Sequence, residues 1–241
     1  MNDISKLTAS DFLDGQLLLI DKPLKWTSFD AVKKLRYLIR KKFNLKKIKV
    51  GHAGTLDPLA TGLLIICTGK YTKRIADLTL QSKTYEGVFT IGATTPSFDL
   101  ETAVENQKDF GHITPEHIEK AVNSLTGELD QIPPAFSAKW VDGKRAYIAA
   151  REGREIELKS NKVEVTHFDF SAENLPEIGF NITCTKGTYI RSIARDLGEE
   201  LGTGAYLSAL RRTKIGDYSI DDALSVGEFE DLILPENANQ K

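Results

Sequence analysis

The acid set apart by its surroundings is Asp57, in the stretch Gly51-His52-Ala53-Gly54-Thr55-Leu56-Asp57-Pro58-Leu59-Ala60-Thr61-Gly62-Leu63-Leu64. Walking back from it, no Asp or Glu occurs until Asp30, while Lys33, Lys34, Arg36, Arg40, Lys41, Lys42, Lys46, Lys47 and Lys49 fall between. Nearby cations favour the ionised carboxylate, the form that attacks or accepts a proton. Gly51, Gly54 and Gly62, with Pro58 directly after Asp57, predict a tight irregular loop rather than a helix or strand interior, open to close approach by a ligand. An Asp-Pro pair is also an ordinary turn in which Asp caps its own backbone, and spacing alone favours that turn. Hydrolysis of a glycosidic bond by an acid and a base would call for a second carboxylate. None accompanies Asp57 in this loop.

The elements that must position this loop follow from pattern. Gly15 to Ile20 is a short apolar run and predicts a buried strand ended by Asp21-Lys22-Pro23. Thr27 or Ser28 is the N-cap of a helix with Asp30 in its first turn and Val32, Leu35, Leu38 and Ile39 as its apolar stripe. Cations take its other faces. A strand over Leu63 to Cys67, a short helix over Tyr71 to Leu80 and a strand over Lys83 to Gly92 come next. Thr94 to Gly111 is polar and turn-rich and predicts an exposed connection. Thr114-Pro115-Glu116 opens a helix that Gly127 stops. Strand-like alternation returns at Lys162 to Phe170 and Ile178 to Thr185, then a helix with Ile190, Ile193, Ala194 and Leu197 at helical spacing, and a last helix over Val226 to Leu234.

Composition narrows the function classes. An apolar share of 41% and a charged share of 27% over 241 residues describe a globular chain with room for a substantial core, and one domain is the expectation. Met1 to Asp14 lacks an apolar signal segment and no run is long enough to span a bilayer, which predicts a cytoplasmic protein without membrane contact. Cys67 and Cys184, without CxxC spacing, and the scattered His52, His112, His117 and His167 suggest neither disulfide nor metal site. The net charge of −2 does not favour a polyanion as partner, but its distribution does. Nine cations fill Lys33 to Lys49, whereas Ile215 to Gln240 carries seven acids and no Lys or Arg. Such a local basic face is compatible with nucleic acid, although a charge run is also the ordinary dress of a solvated helix. Because Lys46 and Lys47 lead straight into the Asp57 loop, they are the leading candidates for phosphate contact.

The Gly51 to Leu64 stretch resembles the catalytic motif of the TruB family of pseudouridine synthases, in which the Asp is the essential nucleophile. Four further stretches resemble that family, in the family's order. Asp21 to Ser28 is similar to its Lys-Pro-x-Gly-x-Thr-Ser motif, with Lys25 where the family has Gly, a change that bears on the local turn. Gln131 to Gly153 is similar to a segment that grips the T-arm of tRNA in the family. Lys186 to Gly198 and Ala205 to Thr213 are similar to its closing motifs.

The resemblance implies a mixed α/β fold on a largely antiparallel sheet, the pseudouridine synthase fold, with flanking helices and a central RNA-binding cleft. It implies isomerisation of uridine to pseudouridine at position 55 in the tRNA T-loop, without cofactor, metal or obligate protein partner. Asp57 is then the nucleophile, acting on the ribose, on the base or in the loss of a ribose proton. Tyr85 stacks on the uracil and is a candidate for the final base, and Arg191 pairs with Asp57. His52 fills the stack vacated by the flipped base, Leu210 packs in the uridine pocket with Tyr189 nearby, and Lys22, Lys73, Lys46 and Lys47 meet phosphates. Many relatives continue into a C-terminal PUA domain, for which the residues here are too few, so a single catalytic domain over 1–241 is expected. The competing class is a tRNA-binding or folding module without chemistry.

Overall fold

The computed structural model describes residues 4–137, 140–141, 144–152, 154 and 158–235. Helix α1 (Ala9–Asp14) and strand β1 (Leu17–Lys22) lead to helix α2 (Ser28–Phe43), then β2 (Val50–Ala53) and β3 (Ala60–Thr68). A 3-10 helix (Gly69–Arg74) runs into α3 (Ile75–Leu80), followed by β4 (Lys83–Ile91), α4 (Pro115–Ser124) and β5 (Gly127–Gln131). The short strands β6 (Trp140–Val141) and β7 (Lys144–Arg145) and helix α5 (Ala146–Arg151) precede the hairpin of β8 (Asn161–Asn174) and β9 (Glu177–Cys184). Then come α6 (Ile190–Glu200), β10 (Ala205–Ile215), β11 (Tyr218–Ser219), β12 (Leu224–Ser225) and α7 (Val226–Ile233). Ala138, Lys139, Asp142, Gly143 and Gly153, inside the stretch expected to grip an RNA arm, lie outside the described residues.

The chain divides into two compact units, Met1–Lys83 with Arg211–Lys241 and Thr84–Leu210. In the first, β1 lies between β12 and β3, pairing parallel with β12 at Ile20 and Leu224 and antiparallel with β3 at Ile20 and Leu64. Strand β2 also pairs with β3, His52 opposite Ile66. From Leu63 to Cys67 β3 is uninterruptedly apolar, as suits a strand covered on both faces. Leu64 and Ile66 pack with Leu35, Leu38 and Phe229, while Leu63, Ile65 and Cys67 pack with Leu78 and Ile215. Helix α2 buries its stripe wholly, and Thr27 caps it reciprocally with Asp30.

In the second unit the strands run in the order β4, β9, β8, β5, with β8 antiparallel to both β9 and β5. Phe89 stacks on Phe180 at 4.1 Å between centroids and meets Phe168 edge-on at 6.3 Å. Helix α4 starts at Pro115 behind Thr114, as its N-terminal signals require. The fold is mixed α/β and its strand pairing largely antiparallel, as the sequence led us to expect.

Two local expectations are corrected. Gly51, His52 and Gly62 lie within strands, so the irregular segment is only residues 54–59. Gly62 is needed for close approach rather than for a turn: its φ is +104°, and a Cβ there would overlap the backbone carbonyl of Arg212. The Thr94 to Gly111 connection is not exposed throughout, because Thr95, Ser97 and Asp99 are buried. Their polar groups satisfy one another: Thr95 Oγ1 donates to Asp99 O at 2.7 Å, and Ser97 Oγ and Thr102 Oγ1 are 2.8 Å apart.

Candidate active site

In the first unit, three separate elements hold the Asp57 loop. Ser28, the first residue of α2, accepts from Leu56 N at 2.8 Å and stands 3.1 Å from Leu56 O, to which its hydroxyl is the donor. Because Thr27 takes the capping role, the Ser28 hydroxyl is left for the loop. Lys25 N donates to Pro58 O at 2.8 Å. Lys25 has φ +65°, so the left-handed turn that glycine would favour here is kept with a side chain in place. The third hold is Arg212, 1% exposed, whose Nε donates to Leu63 O at 2.8 Å and Nη2 to Gly54 O at 3.0 Å. One guanidinium thus joins the two sides of the loop that carries the half-buried Asp57. The neighbouring Arg211 makes a bidentate pair with Asp21 at 2.7 and 3.1 Å.

Lys22 corrects an expectation. It is 0% exposed and its Nζ donates to Trp26 O at 2.6 Å and Pro23 O at 2.9 Å, so it is enclosed rather than offered to a phosphate. Burial pulls its ammonium down to about 8, against the attraction of the nearby Asp57 carboxylate, which favours the charged form. Lys22 therefore puts a buried cation beside Asp57. His52 is half-buried, and its Nδ1 is enclosed without a hydrogen-bond partner among the described residues. Burial, and then the Arg212 cation, hold its imidazole below the usual range, so His52 is neutral at pH 7. Lys46, Lys47 and Lys73 are exposed, as phosphate contacts must be.

In the second unit, Arg191 lies in the first turn of α6 and is 4% exposed, not the surface residue that an isolated Arg pair would lead one to expect. Its Nε is 3.6 Å from Asp99 Oδ2, and Nη1 donates to Phe136 O at 2.9 Å and Ser97 O at 3.3 Å. Asp99 was missed in the sequence because it sits in a polar, turn-rich stretch. Tyr189 precedes α6, its backbone gripped by Gln131: Tyr189 N donates to Oε1 at 2.7 Å and Nε2 donates to Tyr189 O at 3.1 Å. Tyr85 is 9% exposed in β4, and Leu210 is half-buried in β10. Among the described residues no group of three or more His, Cys, Asp or Glu is placed to hold a metal ion, and no helix is long and apolar enough to cross a membrane.

Residues 40–190 match the family described as TruB family pseudouridylate synthase (N terminal domain), and residues 191–241 match tRNA pseudouridylate synthase B C-terminal domain. The tRNA pseudouridine synthase B of Flavobacterium johnsoniae is 53% identical over 228 residues, covering 94% of this chain and 100% of that protein. That of Phocaeicola vulgatus is 52% identical over 223 residues, 92% of this chain and 95% of that protein. Among solved structures, a chain in the crystal structure of a Cbf5-Nop10-Gar1 complex has a TM-score of 0.69 at 24% identity over 95% of this chain. The match spans 57% of that longer chain, and it is a likeness of fold.

Proposed function

The chain belongs to the TruB family of pseudouridine synthases, and from that premise we propose that it isomerises the uridine at position 55 of the tRNA T-loop, with Asp57 as nucleophile. The reaction exchanges one bond for another. The N–C bond between base and ribose breaks, the base turns, and a C–C bond forms; carbon loses a proton and nitrogen gains one. Atoms and electrons balance within substrate and solvent, so the chemistry calls for no redox cofactor and no metal.

The observation that supports this most is the fastening of the Asp57 loop. Ser28, Lys25 and Arg212 fix its backbone from three elements, and Lys22 puts a buried cation beside the carboxylate. A fixed carboxylate near cations is what nucleophilic attack needs. Flipping the target base costs a few kcal/mol of unstacking. A neutral His52 suits the role of filling the vacated stack, since an aromatic ring without charge loses less on leaving water than a cation does. Tyr85 supplies an aromatic platform for the uracil, with Leu210 and Tyr189 completing the pocket. The family resemblance gives Arg191 the task of orienting the catalytic Asp, and Asp99 supports Arg191. Lys46, Lys47 and Lys73 take phosphates. The two units serve as one catalytic domain acting in the cytoplasm.

The test is incubation of the purified protein with an unmodified tRNA transcript, without metal or nucleotide, and chemical mapping of pseudouridine beside Asp57→Ala. Modification confined to the T-loop uridine and lost in the variant, with tRNA affinity kept within a small factor, is the expected outcome. Binding without modification would replace this reading with that of a binding module, and release of free uracil would replace it with a glycosylase.

A further inference from the structure

The outward face of α2 is not explained by folding. Its inward stripe, including Val32, Leu35 and Leu38, is buried, and Lys34 on its flank pairs with Glu230 of α7 at 2.5 Å. The opposite face carries Phe29, Lys33, Tyr37 and Lys41 at four-residue spacing, with Arg36 and Arg40 in the row alongside, so the six share one face of the helix. Phe29 is 52% exposed and Tyr37 57%, although both are large and apolar enough to be buried if the fold had a use for them there. Lys33 lies over the Phe29 ring at 4.9 Å and Arg36 at 5.8 Å.

The charges on this face are not spent inside the protein. Among the described residues Lys33 has one carboxylate partner, Asp30 at 3.7 Å, and Arg40 Nε donates to Leu45 O at 3.2 Å. Among the described residues, Arg36, Arg40 and Lys41 pair with no carboxylate, and Arg36 Nε is enclosed without an acceptor. Lys33, Arg36, Tyr37, Arg40 and Lys41 line an open groove of about 580 Å³. The favourable placement of cations in the last turn of a helix accounts for Arg40, Lys41 and Lys42. It accounts for neither Lys33 and Arg36 nor the two exposed rings.

Cations interleaved with exposed aromatic rings are the means by which proteins hold single-stranded nucleic acid: the cations follow the phosphates and the rings take the base faces. A duplex stem would use the cations and leave the rings idle, because its bases are stacked among themselves. Helix α2 begins at Ser28, whose hydroxyl is bonded to Leu56 beside Asp57, and its sixteen residues extend about 24 Å from there. That reach carries the row beyond a site that grips one flipped base. We infer that the outward face of α2 is a second RNA-binding surface, which takes an unpaired segment of the same tRNA outside the arm that carries the target uridine. The inference rests on the proposed function for the identity of the RNA.

The test compares dissociation constants of the triple variant Arg36→Gln/Arg40→Gln/Lys41→Gln and of Tyr37→Ala for two RNAs, the full tRNA transcript and a hairpin of the T-arm alone, over a range of salt. For the full tRNA, the triple variant should bind at least about tenfold more weakly, with a salt slope shallower by about two, as for three lost contacts to single-stranded phosphates. Tyr37→Ala should weaken it about five- to tenfold without changing the slope, as for one lost stacking contact. The hairpin should be affected less than about twofold by either. An equal loss on both RNAs would overturn the inference by placing the contact on the target arm, and no loss on either would leave a solvated helix face. A loss in the triple variant alone would overturn the assignment to an unpaired segment, since the rings would then be idle. Turnover of both RNAs by the unsubstituted protein tests the proposed function separately.

Discussion

Arg212 is the residue on which the loop's geometry depends most. Its guanidinium gives hydrogen bonds to the buried Leu63 carbonyl and the partly buried Gly54 carbonyl, and its removal takes a donor from both, at about 1–3 kcal/mol for the buried one and less for the other. Arg212→Met should therefore lower unfolding free energy by about 3 kcal/mol in urea titration. Arg212→Lys should lose less, because a single ammonium keeps the charge but cannot span Gly54 and Leu63 at once. Lys25 offers the opposite sign. A side chain at φ +65° carries roughly 1 kcal/mol or more of steric cost. Lys25→Gly should raise the urea midpoint slightly, by less than about 1 kcal/mol once the greater freedom of unfolded glycine is set against the relief. A lowered midpoint would show that the Lys25 side chain contributes contacts that outweigh its backbone strain.

At the level of elements, α2 does two jobs with adjacent residues. Thr27→Ala should cost the helix about 1 kcal/mol through loss of its cap while leaving kcat nearly unchanged. Ser28→Ala should cost about 1–3 kcal/mol by leaving the buried Leu56 amide without a partner, and should lower kcat with little change in KM, because the loop that carries Asp57 is loosened. Equal kinetic effects of the two substitutions would count against Ser28 as a positioning residue. The helices and strands themselves were legible because their signals are local: Thr114-Pro115-Glu116 opens α4, and the apolar spacing of α2 matches its buried stripe. Residues bound to distant partners were not. Arg212 sits about 150 residues from the carbonyls it holds, and the family resemblance of Ala205 to Thr213 says nothing of those contacts. Asp99 and Ser97 look like exposed turn residues because burial of polar groups that satisfy one another leaves no hydrophobic trace. Asp57, by contrast, was found through a fourteen-residue resemblance, where spacing alone favoured an ordinary turn.

For the molecule as a whole, these buried ionisable groups set how stability changes with pH. Lys22 titrates near 8 in the fold and near 10.5 when unfolded, so between those values the unfolded chain holds the extra proton and stability rises with pH. The difference in stability between the unsubstituted protein and Lys22→Met should therefore move in favour of the former between about pH 8 and about pH 10, read from urea midpoints. His52 acts on the acid side. Its folded value lies below 6.5, so its contribution is complete above that pH and is lost as pH falls through the lowered value. In His52→Gln the acid-side loss should be smaller, and an unchanged profile would show that His52 titrates normally. The way the chain threads through its two units also bears on the order of events at the ribosome. The first unit is completed only by residues from Arg211 onward, while Thr84–Leu210 is made in between. At roughly 5–20 residues per second, the ribosome reaches Arg212 some 8–30 s after Asp57. Until then the nascent chain holds Asp57 in a loop that one of its three fastenings has not reached, so the loop takes its final geometry only near the end of synthesis.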